Sequence, residues 1–111
     1  NLVANAIDAT PQGGQVNLSC RVMFRGGRSG VELRVVDSGE GIAPEYLNRI
    51  FEPFFTTKPT GKGTGLGLSI ARQAVEACQG TLRAASRVGE GTIMTVWLPT
   101  ARTPKDEENT P

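Results

Sequence analysis

Val16, Leu18, Cys20 and Val22 alternate with their neighbours, and Val31, Leu33 and Val35 alternate again beyond a turn-rich stretch at residues 25–30. Successive strand side chains point to opposite faces, so this pattern predicts a hairpin with one buried face. A second alternation, at residues 81–86 and 92–98, flanks Gly89, Glu90 and Gly91 and predicts another hairpin. Helical spacing occupies two other segments. Residues 1–10 read as a helix with no start signal ahead of it, closed by Pro11, Gly13 and Gly14, so the chain is expected to be truncated at its front. Residues 66–79 place Leu68, Ala71, Ala74, Val75 and Cys78 on one helix face, with Gly80 as the expected stop. Between them, Asp37, Gly39 and Gly41 break a strand, residues 44–50 suit a short helix, and residues 51–65 show no periodicity. So long an irregular stretch calls for a functional explanation. Segregated strands and helices predict an α+β fold, a two-layer sandwich spanning residues 1–99, followed by a disordered tail at 100–111.

Composition narrows the function classes. The 111 residues suit one domain and hence one site. No apolar run is long enough to cross a bilayer and no leader pattern is present, so a soluble, cytoplasmic domain without membrane contact is expected. The 12 basic and 11 acidic residues nearly cancel and lie scattered along the chain, which argues against nucleic-acid binding. Cys20 and Cys78 lack the spacing of a metal knuckle and fit a reducing setting. With no histidine, the chain holds no Ser-His-Asp system, no histidine-ligated zinc and no phospho-accepting histidine.

Three segments carry candidate chemistry. Asn1, Asn5 and Asp8 fall on one face of the opening helix. That face is either solvated surface or a set of hard oxygen donors for Mg2+ and phosphates. Asp37, Gly39 and Gly41 in DSGEGI follow a strand, as an ordinary turn or as a site where the carboxylate accepts from an adenine amine and the glycines clear space for the base. GKGTGLGL, at 61–68, sets four glycines directly before a helix, as a flexible linker or as a phosphate cradle of backbone N–H groups. It is neither a Walker loop nor a Rossmann fingerprint.

Together these segments resemble the nucleotide-binding domain shared by sensor histidine kinases, DNA gyrase, the mismatch-repair ATPases and a class of heat-shock chaperones. The likeness covers almost the whole chain to Pro99: NLVANAIDAT looks like the N box, DSGEGI the first glycine box, FEPFFTTK the F box and GTGLGL the second glycine box, with GEGT near the end. Two details favour the kinase branch. Hydrolysing relatives carry a water-activating glutamate four residues before the metal-binding asparagine, where this chain has Asn1, and an amide cannot act as that base. FEPFFTTK also resembles the F box of nitrogen-regulation-type and hybrid kinases.

The resemblance implies a mixed, mostly antiparallel sheet covered on one face by helices, with a mobile ATP lid. It implies Mg2+ on Asn5 with Asn1 in support, the adenine amine on Asp37, and the base passing Gly39, Gly41 and Ile42 with Thr92 beneath it. Gly63, Thr64, Gly65, Leu66, Gly67 and Leu68 would anchor the lid on the phosphates, with Phe54 and Thr57 nearby. Many relatives carry a lysine where this chain has Asp8, so Lys58 or Lys62 would neutralise phosphate, Lys58 being counted with Asn1 and Asn5 as catalytic. Phe51, Phe54 and Phe55 could equally be core residues. The implied partners are a histidine-bearing dimerisation domain in a homodimeric parent kinase and, downstream, a response-regulator receiver domain. An ATP-gated switch module and a gyrase-like ATPase are the competing readings.

Overall fold

A computed structural model describes residues 1–56 and 66–100. In chain order the elements are α1 (Leu2–Ala9), β1 (Val16–Arg25), β2 (Arg28–Asp37), α2 (Pro44–Leu47), α3 (Gly67–Ala77), β3 (Thr81–Arg87) and β4 (Gly91–Pro99). The strands form one sheet in the order β1-β2-β4-β3, and its three pairings are all antiparallel, so the expected parallel component does not occur among the described residues.

The register makes the two layers. Val35, Met94 and Ala84 are cross-strand neighbours on one face, and Ala6 of α1, Leu47 of α2 and Leu68 of α3 pack on them with Ile50. Ala6 is 4% exposed, and its single methyl lets α1 lie close to β2. The helix ends where Pro11 forces extended backbone on Thr10, whose hydroxyl then donates to the Ala6 carbonyl at 2.7 Å.

The first hairpin is tighter than its alternation predicts. Arg25 pairs with Arg28 across Gly26 and Gly27, whose positive φ angles of 56° and 80° allow a two-residue turn that matches strand twist. Its expected buried face is only half realised, because β1 is an edge strand and the helices lie mainly over β2, β4 and β3. Val35 is buried, whereas Leu18, Val22 and Phe24 are exposed by 62%, 69% and 72%. On α3, likewise, Ala71 and Val75 are half-buried but Ala74 and Cys78 face solvent. The end of α3 also departs from expectation. Gln79 takes the left-handed position, with φ 64°, while Gly80 donates back to the Val75 carbonyl at 2.9 Å. A Cβ on Gly80 would strike the Trp97 carbonyl, so that glycine serves close packing. Among the described residues no helix is long and apolar enough to cross a membrane.

Candidate nucleotide site

A cavity of about 650 Å³ opens between α1, the start of α3 and the β2 and β4 ends of the sheet. Asn1, Asn5 and Asp8 line one wall, so the helical spacing does bring the three polar side chains to one place. Gly67 and Leu68 form another part, with the Asn1 amide group 3.5 Å from where a Gly67 Cβ would stand. The N-termini of α1 and α3 therefore meet at one end of the cavity. Helix starts leave backbone N–H groups without intrahelical acceptors, and α3 has no side-chain cap at Leu66, so this end favours anions.

Asp37, Thr92, Gly41 and Ile42 line the opposite end. Asp37 is 7% exposed, and its Oδ1 accepts from the Gly39 N–H at 2.9 Å and from the Thr92 N–H at 3.2 Å. Two donors on one oxygen fix the carboxylate, and no bond to Oδ2 occurs among the described residues. The site therefore presents an oriented acceptor over a floor of Thr92 and Met94.

Sequence reasoning missed Ser86, which ties this end together. Its hydroxyl donates to the Gly91 carbonyl at 2.8 Å and accepts from the Ile42 N–H at 2.8 Å. Having spent its one proton, it must accept from the Thr92 hydroxyl, also at 2.8 Å. The available signal was a polar residue closing the buried alternation Leu82, Ala84, Ser86. Ser86→Ala should strand the Ile42 donor and cost about 1–3 kcal/mol, read as a lower urea midpoint at unchanged slope.

Other expected residues fall differently. Gly39 and Gly41 do not simply clear room for a base: a Cβ on Gly39 would strike the Ala9 carbonyl, and one on Gly41, with φ 78°, the Arg87 carbonyl. They let the loop pass close to α1 and β3, and Gly39 lines a shallower neighbouring pocket instead of the main cavity. Phe54 is 73% exposed with φ 67°, and neither it nor Leu66 lines the cavity, whereas Phe55, Ile50 and Tyr46 do. Phe51 and Phe55 pack at the core margin, capped by the guanidinium groups of Arg72 and Arg49. Thr57, Lys58, Lys62, Gly63, Thr64 and Gly65 lie outside the described residues.

The donor set bears on the metal. Among the described residues no three His, Cys, Asp or Glu side chains cluster to hold an ion. A magnesium ion at this site would draw on the Asn5 amide oxygen and on nucleotide and water oxygens, which suits a cation that keeps much of its hydration.

An α+β sandwich with an anion-favouring helix start facing a fixed buried carboxylate is the arrangement of a nucleotide-binding domain. Residues 1–102 match the family described as Histidine kinase-, DNA gyrase B-, and HSP90-like ATPase, and the chain belongs to it. The sensor histidine kinase ZraS of Escherichia coli is 43% identical over 108 residues, covering 97% of this chain and 22% of that protein. The catalytic domain of histidine kinase ThkA superposes with a TM-score of 0.73 at 37% identity, over 88% of this chain and 60% of that one. Full-length ShkA in complex with AMPPNP gives 0.74 at 33% identity, over 93% of this chain and 21% of that one. The chain thus spans about a fifth of the curated relative.

Proposed function

We propose that this domain is the catalytic part of a sensor histidine kinase, binding Mg-ATP and delivering the γ-phosphate to a histidine on a separate dimerisation domain, for relay to a response-regulator receiver domain. Asp37 carries the reading: a buried carboxylate held by two backbone donors suits the amine edge of adenine, opposite the paired starts of α1 and α3. In this reading the triphosphate lies toward Asn1 and Gly67, and Asn5 holds Mg2+, which would neutralise phosphate charge during transfer. Lys58 or Lys62, with Gly63, Thr64 and Gly65, would close over the phosphates. The structural relative ShkA, solved with AMPPNP, is in keeping with this. The parent kinase would be a cytoplasmically signalling homodimer.

Guanine offers a carbonyl where adenine offers an amine, so ATP should bind more tightly than GTP. Asp37→Asn keeps an oxygen for the Gly39 and Thr92 donors but turns an amide N–H2 toward the base. ATP affinity should then fall by about 1–3 kcal/mol. Calorimetry on both proteins, with melting curves to confirm folding, tests this. Equal wild-type affinity for ATP and GTP would remove Asp37 from the base-binding role.

A further inference from the structure

Charges scattered in sequence are gathered by the strand register. Arg21 and Arg25 of β1, Arg28 and Arg34 of β2, and Arg83 and Arg87 of β3 all alternate onto the sheet face opposite the helices. The one acid on that face is Glu32, which is 8% exposed and already bound to Arg21 at 3.0 Å. A chain of net charge +1 therefore presents a strongly cationic plane. Arg34 and Arg83 flank Thr95 in register, about 10 Å apart, and neither has an acidic partner among the described residues. Arg87 reaches Glu90 only at 4.0 Å, with both side chains well exposed.

This arrangement is unfavourable for the isolated fold. Arg25 and Arg28 are direct cross-strand partners, a like-charge pairing that weakens a sheet. The local structure nonetheless holds both in place: Arg25 donates to the Thr81 hydroxyl at 2.7 Å and lies over the Trp97 ring, and Arg28 donates to the Gln79 amide oxygen at 2.9 Å. A like-charge pairing held in place by dedicated local contacts, in a face with almost no acid, points to function.

We infer that this arginine face docks an acidic protein surface, whose aspartate and glutamate side chains pair with the guanidinium groups. All six cations are arginines, planar forks that match carboxylates, and they stand at fixed spacings on a sheet. Protein carboxylates fit better than the other polyanions. Sheets that bind nucleic acid offer exposed aromatic rings for stacking, but the aromatic on this face, Trp97, is 5% exposed beneath Arg25. A membrane-binding face would add apolar groups for insertion, whereas Val36 and Ile93 here are half-buried between longer polar neighbours. The face lies across the sheet from the cavity, so docking leaves the nucleotide site open and does not depend on its assignment.

Trp97 is the chain's one tryptophan and reports the event directly. Poly-L-glutamate should shift its emission, and Arg34→Glu with Arg83→Glu should weaken that binding about tenfold or more. Arg49→Glu with Arg72→Glu, the same charge change on the helical side, should alter it less than about twofold at physiological salt. Arg34→Gln with Arg83→Gln serves if the reversal fails to fold, as judged by circular dichroism. The proposal is overturned if poly-L-glutamate leaves the emission unchanged or if both charge reversals weaken binding equally. It is also overturned if a thymidine oligonucleotide or phosphatidylglycerol vesicles bind this face more tightly than poly-L-glutamate.

Discussion

Given Mg2+ and radiolabelled ATP, the isolated chain is expected to retain nucleotide and release almost no phosphate, because the cavity end proposed for the phosphates holds, among the described residues, no base to activate water. Asn1 occupies that end with Gly67. The cavity carboxylates lie elsewhere: Asp37 is engaged by two backbone donors, and Asp8 and Glu40 sit by the far end of α1, about 10 Å along the helix from Asn1. Phosphoryl transfer demands little covalent chemistry of the protein; alignment and charge stabilisation supply most of the effect. Adding a histidine-bearing helical domain from the same kinase, in cis or in trans, should therefore restore labelling of that histidine. Asn5→Ala should lower the labelling about 100-fold or more while leaving the fold intact. Rapid hydrolysis by the isolated chain would replace the kinase with an ATPase. Undiminished labelling by Asn5→Ala would keep the kinase and remove Asn5 from the metal.

Periodicity recovered what depends on neighbours in sequence. Asn1, Asn5 and Asp8 share a face because a helix repeats every 3.6 residues, and the structure lines the cavity with all three. Asp37 was legible as a carboxylate at a strand end, but its orientation was not, since one of its two donors, the Thr92 N–H, lies 55 residues away. Ser86 was invisible for the same reason: it matters through Ile42, Gly91 and Thr92, which only the β3–β4 register brings to it. Alternation also names an apolar face without saying what covers it, so Leu18 and Val22 match the pattern and still lie exposed. The arginine face shows the limit in reverse. Residues 21, 25, 28, 34, 83 and 87 read as scattered charge until pairing puts three strands' worth of them on one plane.

Gly91→Ala is expected to be strongly damaging at the Asp37 end of the cavity, and Gly89→Ala, two residues earlier in the same turn, a milder change. Both glycines have positive φ, 82° at Gly89 and 105° at Gly91, so alanine carries a conformational penalty at each of about 1–2 kcal/mol. Only Gly91 is enclosed. A Cβ there would press into the Asp37 carbonyl oxygen and lie 3.1 Å from the Ser38 Cα, while at Gly89 nothing stands within 4 Å. Neither backbone contact can rotate aside, so the strand must move away from β2 where Asp37 pairs with Thr92. Strain of this kind adds about 1–3 kcal/mol, for a total near 2–5 kcal/mol. In a domain of this size that lowers the melting temperature by about 8 °C or more, against about 4–16 °C for Gly89→Ala. ATP affinity separates the two further, since displacing β4 pulls the Thr92 N–H from the Asp37 carboxylate, while the Gly89 methyl projects into open space. The measurement is thermal melting of both variants with and without ATP: Gly91→Ala should lose both stability and nucleotide-induced stabilisation, and Gly89→Ala should keep the second. Equal losses in the two variants would mean that the turn's backbone angles, and not the approach of β4 to Asp37, govern this end of the site.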